Sequence, residues 1–409
     1  MKIRNYNHKK DFDNCFRIWN ECGWITKDDK NALELELTSF GGKVAEIDNQ
    51  VEALVISTRG DMKYMEKDIK LSVITGVTTS LIARKKGIAG KLTSKKLADD
   101  AEKGMAVSGL TIFEQGFYDK LGFSNIGYNN IVKFTPSSLN VEIKNKNYKR
   151  FSVKDYKNIH DYRINRKRFH GSCNLPEAYT NAELNYKSDE ILILGFENNN
   201  EIRHHICLRG KGKESGPFRV SWMSYQNYNE FTELLGILKS FEDQIKLVTL
   251  KEPPNIQFQD FLKNPISYSS LTKEGKYENI IRAFSYYQFR ILDLKKCIEA
   301  VKIPEVDFSF NLSIKDPIEK YLQNLNTDWR GIGGEYKVHV GKNSFVENGH
   351  DDNLGTLKTN VNAFTRWWIG AQKPDIIGVN DLFEANTDLL KKLEYTSKFI
   401  PKPNPDWGF

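Results

Sequence analysis

The stretch Arg84-Lys85-Lys86-Gly87-Ile88-Ala89-Gly90 concentrates cationic side chains and two glycines in one tight segment. An apolar, β-branched run from Leu71 to Ile82 leads into it, and a helix-like stretch that stops near Gly104 leads out. Strand, basic glycine turn and helix together make a phosphate site. The turn's N–H groups and the helix N-terminus point at the anion, and the glycines let it come close. The ligand this chemistry suggests is the pyrophosphate of a nucleotide-type cofactor.

Other residues that could do chemistry are sparser. The five cysteines (Cys15, Cys22, Cys173, Cys207, Cys297) are odd in number, scattered and without a C-x-x-C pair. That argues against a disulfide framework or a zinc site and for a reducing, cytoplasmic setting. His204-His205 tempts a metal reading, but neighbours on a strand point to opposite faces, so a surface position and no metal are expected. Asp28-Asp29 and Asp99-Asp100 read as helix-face or capping charges. The formal charge of +7 suits an anionic cofactor without being the dense basic footprint of a nucleic-acid binder. No apolar run approaches the ~18 residues of a membrane span, and Met1 to Tyr6 leads into polar residues with no apolar leader, so neither membrane nor secretion is expected.

The elements that must position the turn follow from periodicity. At 409 residues the chain predicts two or three domains. Asp11 to Asn20 and Asp28 to Ser39 read as helices. Lys43 to Ile47 and Val51 to Ser57 read as strands around the hairpin signal Asp48-Asn49. Asp68 to Ile82 is strand-rich, the helix after Gly87 ends at Lys103-Gly104, Val107 to Phe113 is a strand, and Phe117 to Leu121 a short helix stopped by Gly122. Asn130 to Phe134 closes this segment, and Pro136-Ser137-Ser138 reads as a linker. A second segment repeats the order: a hairpin (Ile191 to Phe196, Ile202 to Leu208), a strand (Phe218 to Ser224), a helix (Asn229 to Phe241) and a strand (Ile245 to Leu250). Tyr225 to Glu230 stands there in place of the basic turn, with no glycine and no cation, so the repeat is expected to keep the fold and lose the cofactor. A third segment starts near Leu292. It has strands at Val306 to Ile314, Tyr336 to Val340 and Ser344 to Val346, and short helices at Phe364 to Ile369, Asp381 to Phe383 and Thr387 to Leu393. The ending, with prolines at 401, 403 and 405 before Trp407-Gly408-Phe409, reads as an extended arm that docks.

With these residues placed, the chain resembles the GNAT acyltransferase superfamily. Arg84-x-x-Gly87-x-Ala89 after a strand fits its R/Q-x-x-G-x-G/A motif, and Phe117-Tyr118-Asp119-Lys120-Leu121-Gly122-Phe123 is similar to the Y-x-x-x-G-F segment that closes such domains. The three-segment layout, Phe289-Arg290-Ile291-Leu292-Asp293 and Phe364-Thr365-Arg366-Trp367-Trp368-Ile369-Gly370 resemble the Eis-like (enhanced intracellular survival) branch. Leu81 departs from the proline that many members carry after the cofactor strand. The resemblance implies an α+β / α/β chain of tandem GNAT folds, each a mixed central sheet with flanking helices, followed by a sterol-carrier-protein-like α+β domain. The implied boundaries are 1–136 for an active GNAT domain, 137–291 for a degenerate one and 292–409 for the third.

The resemblance also implies roles. Acetyl-CoA is the expected cofactor, its pantetheine arm on the backbone of Val77, Thr78 and Thr79, with the Thr79 N–H polarising the thioester. Its pyrophosphate is expected on Arg84, Lys85, Lys86, Gly87, Ile88, Ala89 and Gly90. Tyr118 matches the general acid and the Phe409 carboxylate the general base. An α-carboxyl near 3.5 and a lysine-type ammonium near 10.4 differ by about 7 units, so Phe409 is best read as orienting the amine and receiving its proton, directly or through water. Trp24, Phe113 and Trp407 are candidate substrate contacts, while Trp19 is expected in the core. The implied activity is N-acetyl transfer to a cationic amine, in an assembly of three or six copies. The competing reading is a non-catalytic acyl-CoA-responsive binding protein that uses its third domain for a partner or lipid.

Overall fold

The computed structural model describes residues 1–186, 190–210, 216–265 and 280–408. The first stretch runs β1 (Lys2–Asn5), α1 (His8–Glu21), α2 (Lys30–Ser39), β2 (Gly41–Ile47), β3 (Gln50–Tyr64), β4 (Lys67–Thr79), α3 (Ile88–Glu102), β5 (Val107–Thr111), α4 (Gln115–Asp119) and β6 (Ser124–Asn125). Asn7 caps α1 by accepting the Lys10 N–H at 3.3 Å, and Phe12, Cys15, Ile18 and Trp19 form its buried stripe. Asp48 and Asn49 both take positive φ, which gives the β2–β3 hairpin the backbone twist its strands need. β3 buries residues 51–58 without interruption, as a strand covered on both faces does.

The chain continues with β7 (Asn129–Phe134), β8 (Lys149–Phe151), α5 (Tyr156–Ile164), β9 (Cys173–Asn174), α6 (Glu177–Asn185), β10 (Glu190–Asn198), β11 (Glu201–Gly210), β12 (Phe218–Ser224), α7 (Tyr228–Lys239), β13 (Val248–Lys251), β14 (Ile280–Phe284) and β15 (Tyr287–Ile291). The first two sheets exchange strands. The first has the order β1-β2-β3-β4-β5-β15-β6, with β9 added on β3, and the second β14-β7-β13-β12-β11-β10-β8. So Asn130 to Phe134 is a strand as expected, but it pairs in the second sheet, while β15 returns from the second stretch to lie between β5 and β6. Hydrophobic pattern marks a strand; it does not say which of two sheets takes it.

The last stretch has α8 (Leu294–Ala300), β16 (Phe308–Lys315), α9 (Glu319–Leu322), β17 (Gly334–Val340), β18 (Phe345–Asn348), β19 (Thr356–Asn360), α10 (Val361–Trp368), α11 (Pro374–Asn380), β20 (Phe383–Glu384) and α12 (Thr387–Thr396), with sheet order β18-β17-β16-β19-β20. The expected helix at Asp381 to Phe383 is instead the extended C-cap of α11 followed by an edge strand on β19; Asp381 accepts from Asn360 at 2.6 Å there. This part docks on the first through aromatic rings. Tyr64 stacks on Trp368 at 4.4 Å and donates to the Trp368 carbonyl at 2.7 Å. The buried Arg290 of β15 pairs with Asp316 at 2.7 Å. The terminal arm docks as far as the buried Trp407; Gly408, the last residue described, is exposed, and Phe409 lies outside the described residues. No helix among the described residues is long and apolar enough to cross a membrane.

Candidate active site

β4 and β5 run parallel and pair from Leu71–Val107 to Val73–Gly109, then diverge. The divergence has a local cause. Leu54 faces Thr78 and Ile56 faces Thr75, so β4 carries one extra residue at Gly76-Val77 and bends there. Gly76 has φ +59°, and a Cβ on it would meet Trp19 Cζ2 at 2.7 Å, so the bend is packed against α1. The Ser80 N–H donates to the Glu52 carbonyl at 2.9 Å, on the β3 side. N–H directions alternate along a strand, so the N–H groups of Thr79 and Val77 face the other way, into the opening between β4 and β5.

That opening is a cleft of about 600 Å³ lined by Val77, Thr78, Thr79, Arg84, Lys85, Gly87, Ile88, Ala89 and Gly90. Lys85 (φ +60°) and Gly87 (φ +73°) turn the backbone so that α3 starts at Ile88 with its N-terminus at the cleft. A Cβ on Gly87 would touch nothing within 4 Å, which is the open approach an oxyanion needs. The Arg84 guanidinium donates to Cys22 Sγ at 3.6 Å, and that thiol reaches the Thr79 carbonyl at 3.9 Å. Lys86 is exposed and falls outside the lining. The opposite wall is aromatic: Trp24 and Phe113, both exposed, stand 5.8 Å apart, and Trp19 backs Trp24 at 5.6 Å in the core. Cys22, Ala83, Glu114 and Phe117 also line the cleft, a role the sequence did not assign to them. The position of Glu114, whose side chain accepts the Gly116 N–H at 3.2 Å as the cap of α4, was the available signal.

Tyr118 sits one residue past the lining. Its ring packs under Phe117 at 4.9 Å in the same buried cluster as Ile74, Ala83 and Ile88. Burial, with Glu114 adding to it, pushes its phenol up to about 12. Trp407 is not at the cleft. Its ring is fully enclosed, 3.6 Å from the Arg163 guanidinium, so it contributes an anchor to the arm and no open surface. The second sheet's counterpart of the basic turn is closed. Asn227 caps α7, and Glu230 accepts from the Gln226 N–H and the Tyr162 hydroxyl, both at 2.7 Å. His204 and His205 are both buried, against the surface position expected, because β11 is a central strand with α5 and α7 packed on it. His204 meets Glu233 at 2.9 Å, and among the described residues no group of three His, Cys, Asp or Glu is placed to hold a metal. Asp100 is likewise interior, accepting from Lys96, Ser57 and Ser72 at 2.6 to 2.7 Å, while Asp29 caps its turn as expected through Thr26.

No curated protein matches the sequence. Residues 2–126 match the model of the acetyltransferase (GNAT) domain. The whole chain superposes on solved structures with little sequence in common. They include a conserved protein from Enterococcus faecalis V583 (TM-score 0.80, 15% identity, 100% of this chain and 99% of that one). A GCN5-related N-acetyltransferase from Anabaena variabilis superposes with TM-score 0.78, 15% identity and 100% of both chains. Eis1 from Mycobacterium abscessus does so with TM-score 0.75, 11% identity and 100% of both chains. Residues 2–126 are therefore similar to the GNAT acetyltransferase domain, in a chain whose whole fold is similar to that of Eis1 from Mycobacterium abscessus.

Proposed function

We propose that the chain is an acetyl-CoA-dependent N-acetyltransferase acting on a primary amine of a polycationic small molecule, of aminoglycoside or polyamine type, or on a lysine side chain, by direct attack in a ternary complex. In this reading residues 1–136 are the active domain, 137–291 a degenerate GNAT-like domain and 292–409 a sterol-carrier-protein-like domain. The observation that carries it is one cleft that joins a splayed strand edge, a basic glycine turn at a helix N-terminus and an aromatic wall. Acetyl-CoA supplies an acyl group activated as a thioester. Val77 and Thr79 offer free N–H groups to an extended amide-bearing arm, and the Thr79 N–H polarises the reacting carbonyl. Arg84 and Lys85, with the N–H groups of Gly87 to Gly90, hold the pyrophosphate, and Lys86 adds charge at the rim. Trp24 and Phe113 present ring faces to a cationic acceptor. Tyr118 donates a hydrogen bond to the departing sulfur, and the Phe409 carboxylate orients the amine and takes its proton. The same reading makes the chain a homo-oligomer, trimer or hexamer, of a reducing compartment, where its five free cysteines stay unpaired.

The test is free-thiol release from acetyl-CoA across a panel of polyamines and aminoglycosides. At least one amine is expected to raise release tenfold over the amine-free rate, and one alanine added after Phe409 is expected to suppress it. No turnover with any amine, and none lost on extension, sinks the proposal.

A further inference from the structure

β12 and β13 in the second sheet stand in the same relation as β4 and β5 in the first. They run parallel, pair at Phe218–Val248 and Arg219–Thr249, and then diverge. The opening between them is lined by β12 (Ser221, Met223), the end of β13 (Lys251, Glu252) and the residues that follow α5 (Arg166, Lys167), as the cofactor cleft is lined by β4, the residues past β5 and those past α1. Only about 80 Å³ of space remains there, against about 600 Å³ in the cofactor cleft. The chain's own arm, Asn404 to Asp406, forms one wall of the space that remains.

The arm is held by charge and by backbone hydrogen bonds. Arg166 donates to Asp406 through Nε and Nη2, each at 2.8 Å, and the Cys173 N–H donates to the same carboxylate at 3.1 Å. Half-buried Lys251 donates to the Pro405 carbonyl. The Asn404 N–H donates to the His170 carbonyl at 2.8 Å, and Tyr287 donates to the Trp407 carbonyl at 3.1 Å. Tyr287 lies opposite Thr111 on β5, two residues before Phe113 of the cofactor cleft. Two further residues extend the chain by at most about 7 Å, so the anchor at Trp407 confines where the terminus can go.

We propose that the degenerate counterpart of the cofactor cleft is a socket for the C-terminal arm, and that Arg166, Lys251 and Asp406 are positioning residues that set the terminal carboxylate for acyl transfer in the first domain. The positioning role rests on the reading of Phe409 as the proton acceptor; the socket does not. In the full chain, Asp406→Asn keeps the side-chain volume and removes the charge, and Lys251→Gln removes one cation from the other side. Both are expected to leave the Kd for CoA unchanged, which is also the control for folding. Both are expected to speed release of Phe409 by carboxypeptidase at least tenfold, and to lower kcat at least tenfold at unchanged KM for acetyl-CoA. Asp406→Glu is expected to recover most of the protection and the rate. Release no faster than from the unaltered chain overturns the socket. Faster release at unchanged kcat overturns the positioning role. An unaltered chain that acetylates no amine overturns the assigned function instead, and the release rates still decide the socket.

Discussion

Tyr118 shows how burial limits a residue's chemistry. A phenol at about 12 stays protonated at neutral pH, which is the form a donor must have. A departing thiolate whose parent thiol lies near 8.5 is a weaker base by more than three units, so full transfer from Tyr118 is uphill by about 5 kcal/mol. Hydrogen bonding to the sulfur, with the final proton drawn from solvent, fits those magnitudes better than proton donation. Tyr118→Phe is then expected to lower kcat by about 10- to 100-fold, the worth of one hydrogen bond to developing charge, with the Kd for CoA unchanged. Steady-state thiol release beside calorimetric CoA binding measures both. Unchanged kcat would leave Tyr118 as a packed aromatic beneath Phe117, and it would favour a chain that binds acyl-CoA without using it.

The bend in β4 does at the scale of an element what no single side chain could: it parts two parallel strands. Gly76 and Gly87 both take positive φ, but a Cβ meets Trp19 at 2.7 Å and Ile56 at 2.9 Å at the first and nothing within 4 Å at the second. Gly87→Ala therefore costs the left-handed strain alone, about 1 kcal/mol. Gly76→Ala adds overpacking of the core on top of it, about 2 to 4 kcal/mol in all. Thermal unfolding should show Gly76→Ala several degrees below Gly87→Ala, with CoA affinity lowered in both, through the bend in one and through the obstructed approach in the other; equal Tm values would mean the bend is not held by Trp19. Much of this element was readable in advance. The turn's glycines, its cations and the flanking β-branched run are local signals, and α3 begins at Ile88, directly after Gly87. The bend was not readable, since its extra residue appears only against β3. The exchange of β7 and β15 was hidden for the same reason: each strand has an ordinary pattern, and pairing is settled by distant partners. Alternation misjudged His204 and His205 because it assumed that one face of β11 meets water. Lys86 and Trp407 were placed by proximity in sequence, which fixes neither a side chain's direction nor the path of an arm.

At the scale of the whole molecule, one neutral imidazole joins three parts of the chain. The His170 ring accepts the Met65 N–H at Nδ1, 2.9 Å away at the β3–β4 turn, and donates from Nε2 to the Ile369 carbonyl at 3.0 Å, just past α10. Only the Nε2–H tautomer makes both bonds, and a second proton would turn Nδ1 from acceptor to a donor facing a donor. Burial pushes His170 down to about 4, and burial does the same to His160 and His205. Unfolded histidine titrates near 6.5, so between pH 6.5 and 4 the unfolded chain binds the more protons. Stability therefore falls as pH drops through that window, by about 3 kcal/mol for a histidine shifted this far, and the loss levels off below pH 4. His170→Gln offers an acceptor and a donor without a titrating group. It is expected to lower Tm at pH 7, where the imidazole fits better, and to flatten the fall of Tm between pH 6.5 and 4. His205→Gln, inside the second sheet and against Tyr162 rather than the arm, should flatten the same slope without loosening the arm, whose Asn404 N–H is held by the His170 carbonyl. Carboxypeptidase release of Phe409 at pH 5 separates the two cases, because acid should speed it in the unaltered chain and in the His205 variant alike, and least in His170→Gln. A His170→Gln chain that keeps the full acid slope would show that the three parts are joined by ring stacking and the Arg290–Asp316 pair, with the imidazole a bystander.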